Sequence, residues 1–110
     1  MQLPNCEHAT VAIEKLTHYL LDNDHPVGGK KSRFFSLVGY GQRHASDLQS
    51  QLLEIARKGS VSATKQTVHG TKFIIIGLLK TPTGRTIRLR TVWSIDVGQV
   101  NPRFVTAYPE

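Results

Sequence analysis

The chain has 110 residues, of which 39% are hydrophobic and 20% charged, which suits one domain around one core and excludes an intrinsically disordered chain. The longest apolar runs, 73–76 and 78–79, are split by Gly77 and are far too short for a membrane helix, and Met1-Gln2-Leu3-Pro4-Asn5 lacks the pattern of a secretory signal. The net charge of +6 is uneven: residues 1–29 hold one cation and four carboxylates, whereas residues 30–110 hold 13 cations and four carboxylates, a balance that points to a polyanionic partner, RNA or DNA first.

No repeat, linker or low-complexity tract divides the chain, so residues 1–110 read as a single domain. Ala12, Ile13, Leu16, Tyr19 and Leu20 recur at helical spacing, with Thr10 and Glu14 placed to open a helix that stops near Asp22. Asn23-Asp24-His25-Pro26 is turn chemistry, and Val27-Gly28-Gly29 continues it as a loop. A second helix is expected over about 30–38, burying Phe34, Leu37 and Val38 and capped by Gly39. Ser46-Asp47 opens a third, apolar at Leu48, Leu52, Ile55 and Ala56 and closed by Gly59.

The period then changes. Val61, Ala63, Lys65 and Thr67 alternate, His69-Gly70-Thr71 turns the chain, and 72–80 reads as a central strand buried on both faces. Thr81-Pro82-Thr83-Gly84 has the proline and glycine of a type I turn. The next strand alternates cleanly, with Ile87, Leu89, Thr91, Trp93, Ile95 and Val97 on one face and Thr86, Arg88, Arg90, Val92, Ser94 and Asp96 on the other. A last strand over 103–108 has Phe104, Thr106 and Tyr108 on a common face. The expected class is α+β, with three N-terminal helices packed on a four-stranded antiparallel meander.

The chemistry concentrates at two places. Gly28 and Gly29 lead into a helix whose first turn carries Lys30, Lys31 and Arg33; unpaired N–H groups and cations coincide there, a natural seat for phosphate. His25, beside it, is the best general acid/base among the five histidines. On the expected sheet, Arg85, Arg90, Thr91, Thr106 and Tyr108 supply cations, hydroxyls and a ring for RNA. No histidine pair at i,i+4 spacing and no second thiol beside Cys6 supports a zinc site, and no cofactor is expected. The lone Cys6 fits a reducing, cytoplasmic setting.

Several short motifs together resemble an uncharacterised bacterial domain family. They are Lys15-Leu16, Tyr19-Leu20-Leu21, His25-Pro26, Gly28, Lys31 and Phe34-Phe35-x-x-x-Gly39 at the start, then Gly70-x-Lys72, Gly77, Pro82-x-Gly84-Arg85, Thr91-Val92-Trp93-x-Ile95 and Thr106-Ala107-Tyr108-Pro109. The family's members occur as stand-alone proteins and as terminal modules of larger bacterial proteins, polymorphic toxins among them. Its layout is similar to that of the barnase, colicin-type and RelE-like ribonuclease superfamily. The resemblance implies a metal-independent endoribonuclease in which His25, Lys31, Thr106 and Tyr108 are catalytic and Gly28, Gly29, Lys30, Arg33, Arg85, Arg90 and Thr91 bind phosphate or RNA. It also implies an inhibitor or immunity protein as partner. Two other readings stand beside it: a non-catalytic nucleic-acid- or protein-binding domain, and a module that dimerises through a sheet edge.

Overall fold

The computed structural model describes residues 1–22 and 29–110, with side chains for 1–22 and 33–110. The turn expected at 23–26, the loop at 27–28, His25 and Gly28 lie outside the described residues, as do the side chains of Lys30 and Lys31.

The N-terminal segment departs from the sequence expectation. Thr10 does not cap a helix, because its backbone is taken by the last strand: its N–H donates to Pro102 O at 3.1 Å and its carbonyl accepts from Phe104 N–H at 2.9 Å. Helix α1 (13–20) therefore starts later, as an α-helical turn Ile13–Lys15 continued by a π-helical segment Leu16–Leu20. Leu16 and Leu20 point into the core. Helix α2, Gly29–Leu37, ends with Gly39 at φ +98°, and Tyr40 N–H returns to Phe35 O at 2.9 Å, which closes its carbonyls as the glycine anticipated. Its buried face differs from expectation: Phe35 fills the core, whereas Leu37 is 83% exposed. Helix α3, Ala45–Lys58, buries Ala45, Leu48, Leu52, Ile55 and Ala56 in one stripe.

Strands β1 (Val61–Thr67), β2 (Gly70–Lys80), β3 (Thr86–Asp96) and β4 (Arg103–Pro109) form one antiparallel sheet in the order β1-β2-β3-β4. The fold class is α+β, with two substantial helices, α2 and α3, and the short α1. Among the described residues no helix is long and apolar enough to cross a membrane.

The helices pack on one face only. On that inner face Phe73, Ile75 and Leu79 of β2, Leu89, Thr91 and Trp93 of β3, and Phe104 and Ala107 of β4 are buried. β2 is thus not buried on both faces: Ile74 and Ile76 are half-buried and Leu78 is 66% exposed. Helix α3 crosses β2 at Gly77, where a Cβ would stand 2.7 Å from Ile55 Cγ1. A side chain there would push the helix off the sheet.

Trp93 sits at the centre with no exposed surface, and its indole N–H donates to Thr91 Oγ1 at 2.9 Å, while that hydroxyl donates to Ile75 O at 2.7 Å. A second clamp closes the α3 end of β2. Pairing with β1 reaches only to Val61↔Ile75, and at Lys80 the Gln51 amide acts as a substitute strand: Lys80 N–H donates to Gln51 Oε1 at 2.9 Å and Gln51 Nε2 donates to Lys80 O at 2.8 Å. Tyr40 donates its hydroxyl to the same carbonyl at 3.2 Å and stacks edge-on against Phe35, with 5.9 Å between centroids.

These two clamps generate predictions. Thr91→Val is isosteric but leaves the Trp93 N–H without an acceptor, and should cost about 1–3 kcal/mol in urea unfolding; a loss below about 0.5 kcal/mol, the range of ordinary surface changes, would show that the hydroxyl relay is dispensable. Burial, reinforced by the Asp47 charge and opposed by the bond from Gln51, pushes Tyr40 up to about 12. The folded state favours the neutral phenol, so this contribution is full below pH 10, the unfolded value, and is lost as pH rises through about 12. Tyr40→Phe should therefore flatten the loss of stability measured between those two values.

Candidate functional site

The face of the sheet turned away from the helices carries the chemistry. Register places its residues in cross-strand rows: Lys65, Lys72, Ser94 and Arg103; then Ala63, Ile74, Val92 and Thr106; then Ile76, Arg90 and Tyr108; then Leu78 and Arg88. The result is an apolar centre edged by Thr106, with Lys65, Lys72 and Arg103 at one end and Arg88, Arg90 and the Tyr108 phenol at the other.

The placement of Thr106 and Tyr108 depends on a bulge. The β3–β4 register runs Thr91↔Ala107 and Val92↔Thr106 but then Trp93↔Phe104, so Val105 is an extra residue in β4. The extra residue turns Phe104 to the core, where its ring packs edge-on against Trp93 at 5.4 Å. Simple alternation put Phe104, Thr106 and Tyr108 on a common face; the bulge leaves only Thr106 and Tyr108 on the open one. Tyr108 stands directly opposite Arg90.

The other expected site residues divide. Thr91 is fully buried on the inner face and its hydroxyl belongs to the Trp93 relay, so it is corrected from a phosphate ligand to a core residue. Arg85 lies in the turn before β3, about five residues or roughly 17 Å along the strand from Arg90. Arg33 is exposed on α2. Gly29 and Lys30 open α2, whose first-turn N–H groups have no acceptor within the helix itself. Arg88 joins Arg90 on the face that the alternation of β3 gave it, whereas Glu110 meets the site only through the pairing of its N–H with Arg88 O and gives no sequence signal.

Two carboxylates are held by arginines of these strands. Glu110 accepts from Arg90 Nε at 3.1 Å, and the pair raises the Arg90 guanidinium above its ordinary value, first through that hydrogen bond and then through charge. Asp96 takes Arg103 with two bonds, Nε to Oδ2 at 2.7 Å and Nη2 to Oδ1 at 3.2 Å, and also accepts from Ser94 Oγ at 2.8 Å. Grooves of about 390 Å³ and about 420 Å³ lie beside α3, and none of the described site residues expected from sequence lines either.

Residues 2–110 match the family described as Domain of unknown function (DUF6883). The chain belongs to that family. None of the curated proteins matches it. Among solved structures, a chain of the contact-dependent growth inhibition toxin–immunity protein complex from Klebsiella pneumoniae 342 shares the fold, with a TM-score of 0.72 over 92% of this DUF6883 chain and 99% of the other, at 11% identity.

Arg103 and Ser94 hold the Asp96 carboxyl below its usual range, so this ion pair stabilises the fold above the unfolded value and its contribution is lost as pH falls through the lower folded one. Asp96→Asn should lower stability at neutral pH and flatten the acid limb of a stability–pH curve. An unchanged acid limb would assign that limb to other carboxylates.

Proposed function

We propose that this chain is a toxin-type module that acts on RNA, a metal-independent endoribonuclease-like domain using 2′-OH attack on the adjacent phosphate. The observation that carries the reading is the open sheet face, where the β4 bulge sets Thr106 and Tyr108 beside Arg90 on a surface the helices do not cover. The fold shared with a chain of a toxin–immunity complex and the 13 cations of residues 30–110 support the same reading. In it His25 takes the 2′-OH proton and Lys31, carried by a helix packed on the opposite face, stabilises the charge that develops on phosphate. RNA must therefore pass round a sheet edge to the open face, where Thr106 and Tyr108 position the nucleotide. Gly29 and Lys30 at the start of α2, with Gly28 before them in sequence, supply a phosphate seat, while Arg33, Arg85 and Arg90 guide the backbone. The half-exposed Ile74, Ile76 and Val92 offer bases an apolar platform beside the Tyr108 ring. An immunity-type inhibitor is the expected protein partner, covering this face.

Purified protein incubated with total RNA in EDTA should yield 2′,3′-cyclic phosphate ends. His25→Ala and Lys31→Ala should each reduce the rate roughly 10²–10⁴-fold. Their melting temperatures should match wild type, unlike that of Trp93→Ala, whose loss of core packing costs about 3–5 kcal/mol. Absence of cleavage by wild type, or full cleavage by both variants, overturns this mechanism and puts a non-catalytic binding module in its place.

A further inference from the structure

The Arg90–Glu110 contact is less exposed than the Glu54–Lys58 pair of α3. Glu54 and Lys58 on α3 form an ordinary i,i+4 pair with side chains 54% and 79% exposed. Arg90 and Glu110 are only 33% and 29% exposed, and the Glu110 backbone N–H donates to Arg88 O at 3.1 Å, so strand pairing holds the carboxylate in place. Tyr108 stands opposite Arg90 across the strands. Glu110 thus brings an anionic oxygen to the arginine and the phenol that form one row of the open face. A carboxylate on a guanidinium presents the same oxygen acceptors to the same donors as a phosphodiester.

The bond is also the more replaceable of the two carboxylate–arginine contacts. Asp96 receives two bonds from Arg103 and a third from Ser94, whereas Glu110 receives one from Arg90, through Nε. Among the described residues, Arg88 beside it has no carboxylate within ion-pair distance, so Glu110 is the acid that screens this end of the cationic surface, as Asp96 screens Arg103 at the other.

We propose that Arg90 is a phosphate-binding group of the open face and that the Glu110 carboxylate is its built-in competitor, standing in the phosphate position until a polynucleotide displaces it. The proposal rests on the reading of this face as an RNA surface and adds its regulation. Exchange replaces one charge-assisted hydrogen bond by another, and the threshold for binding is set by the acid at residue 110.

The test uses the full chain, a short fluorescein-labelled oligouridylate followed by anisotropy at fixed ionic strength, and inorganic phosphate followed by NMR at the Arg90 Nε–H. Glu110→Gln should tighten oligouridylate binding about tenfold, the scale of one hydrogen bond to a charged group. Glu54→Gln, an equal change of charge on α3, should give only the small general gain of one lost carboxylate. In an Arg90→Gln background the further change Glu110→Gln should give no more than that. The Arg90 resonance should move at lower phosphate concentration in Glu110→Gln than in wild type. Equal gains from Glu110→Gln and Glu54→Gln, or a tenfold gain that survives Arg90→Gln, would overturn the proposal. A phosphate response as expected with no oligouridylate binding to any variant would uphold the anion seat and overturn the RNA reading. Oligouridylate binding with an unmoved Arg90 resonance would do the reverse. Circular dichroism melting of each variant separates these outcomes from loss of fold.

Discussion

An indole N–H cannot enter an apolar core without an acceptor, and the way this chain supplies one organises the molecule. Trp93 is fully buried, and its N–H finds Thr91 two residues earlier on the same face of the same strand. The threonine passes its own proton to the carbonyl of Ile75 on β2, so the relay ends on a backbone group and leaves no buried donor unpaired. Phe104 of β4 then packs edge-on against the indole. Three neighbouring strands meet in one side-chain layer, and the fully buried large apolar residues of the sheet lie on this side.

With the core committed to one face, the helices have to follow it. Gly77 lets α3 approach β2 closely enough for Ile55 to fill the space over the strand. Gln51 then pairs with the Lys80 backbone where β1 no longer reaches, and Tyr40 ties the segment after α2 to the same carbonyl. The helices are fixed to β2 by these backbone contacts, while the opposite face of the sheet stays available for a partner. Its cations lie at two ends of an apolar strip, an arrangement that suits a ligand with both charge and flat apolar surface.

The fold itself does not identify that ligand. A chain from a toxin–immunity complex shares it at 11% identity, so the architecture tolerates nearly complete replacement of side chains. What is particular to this chain is the set of residues displayed on the open face, and the β4 bulge decides two of them. Were Val105 paired in regular alternation instead of bulged, Thr106 and Tyr108 would share the face of Phe104 and lie beneath the sheet.

Much of the local structure was legible in the sequence because it depends on near neighbours. The apolar stripe of α3, the alternation of β3 through Trp93, the glycine ending α2 and the turn before Arg85 all follow from periodicity or backbone freedom. The cationic face with Arg88 and Arg90 opposite Trp93 was legible for the same reason. The start of α1 was not, because Thr10 is drawn into pairing with β4, a segment more than 90 residues away. Nor could period alone show that β2 is covered on one side, that Thr91 serves the core, or that Phe35 rather than Leu37 is buried on α2. The bulge at Val105 and the meeting of Glu110 with Arg90 likewise arise from strand register. The sequence by itself determined which elements form, since a helix or strand is specified by side chains within a few positions of one another. Which face is buried, which hydroxyl is spent in the core and which acid meets which arginine were decided by tertiary structure, because each depends on a partner supplied by another part of the chain.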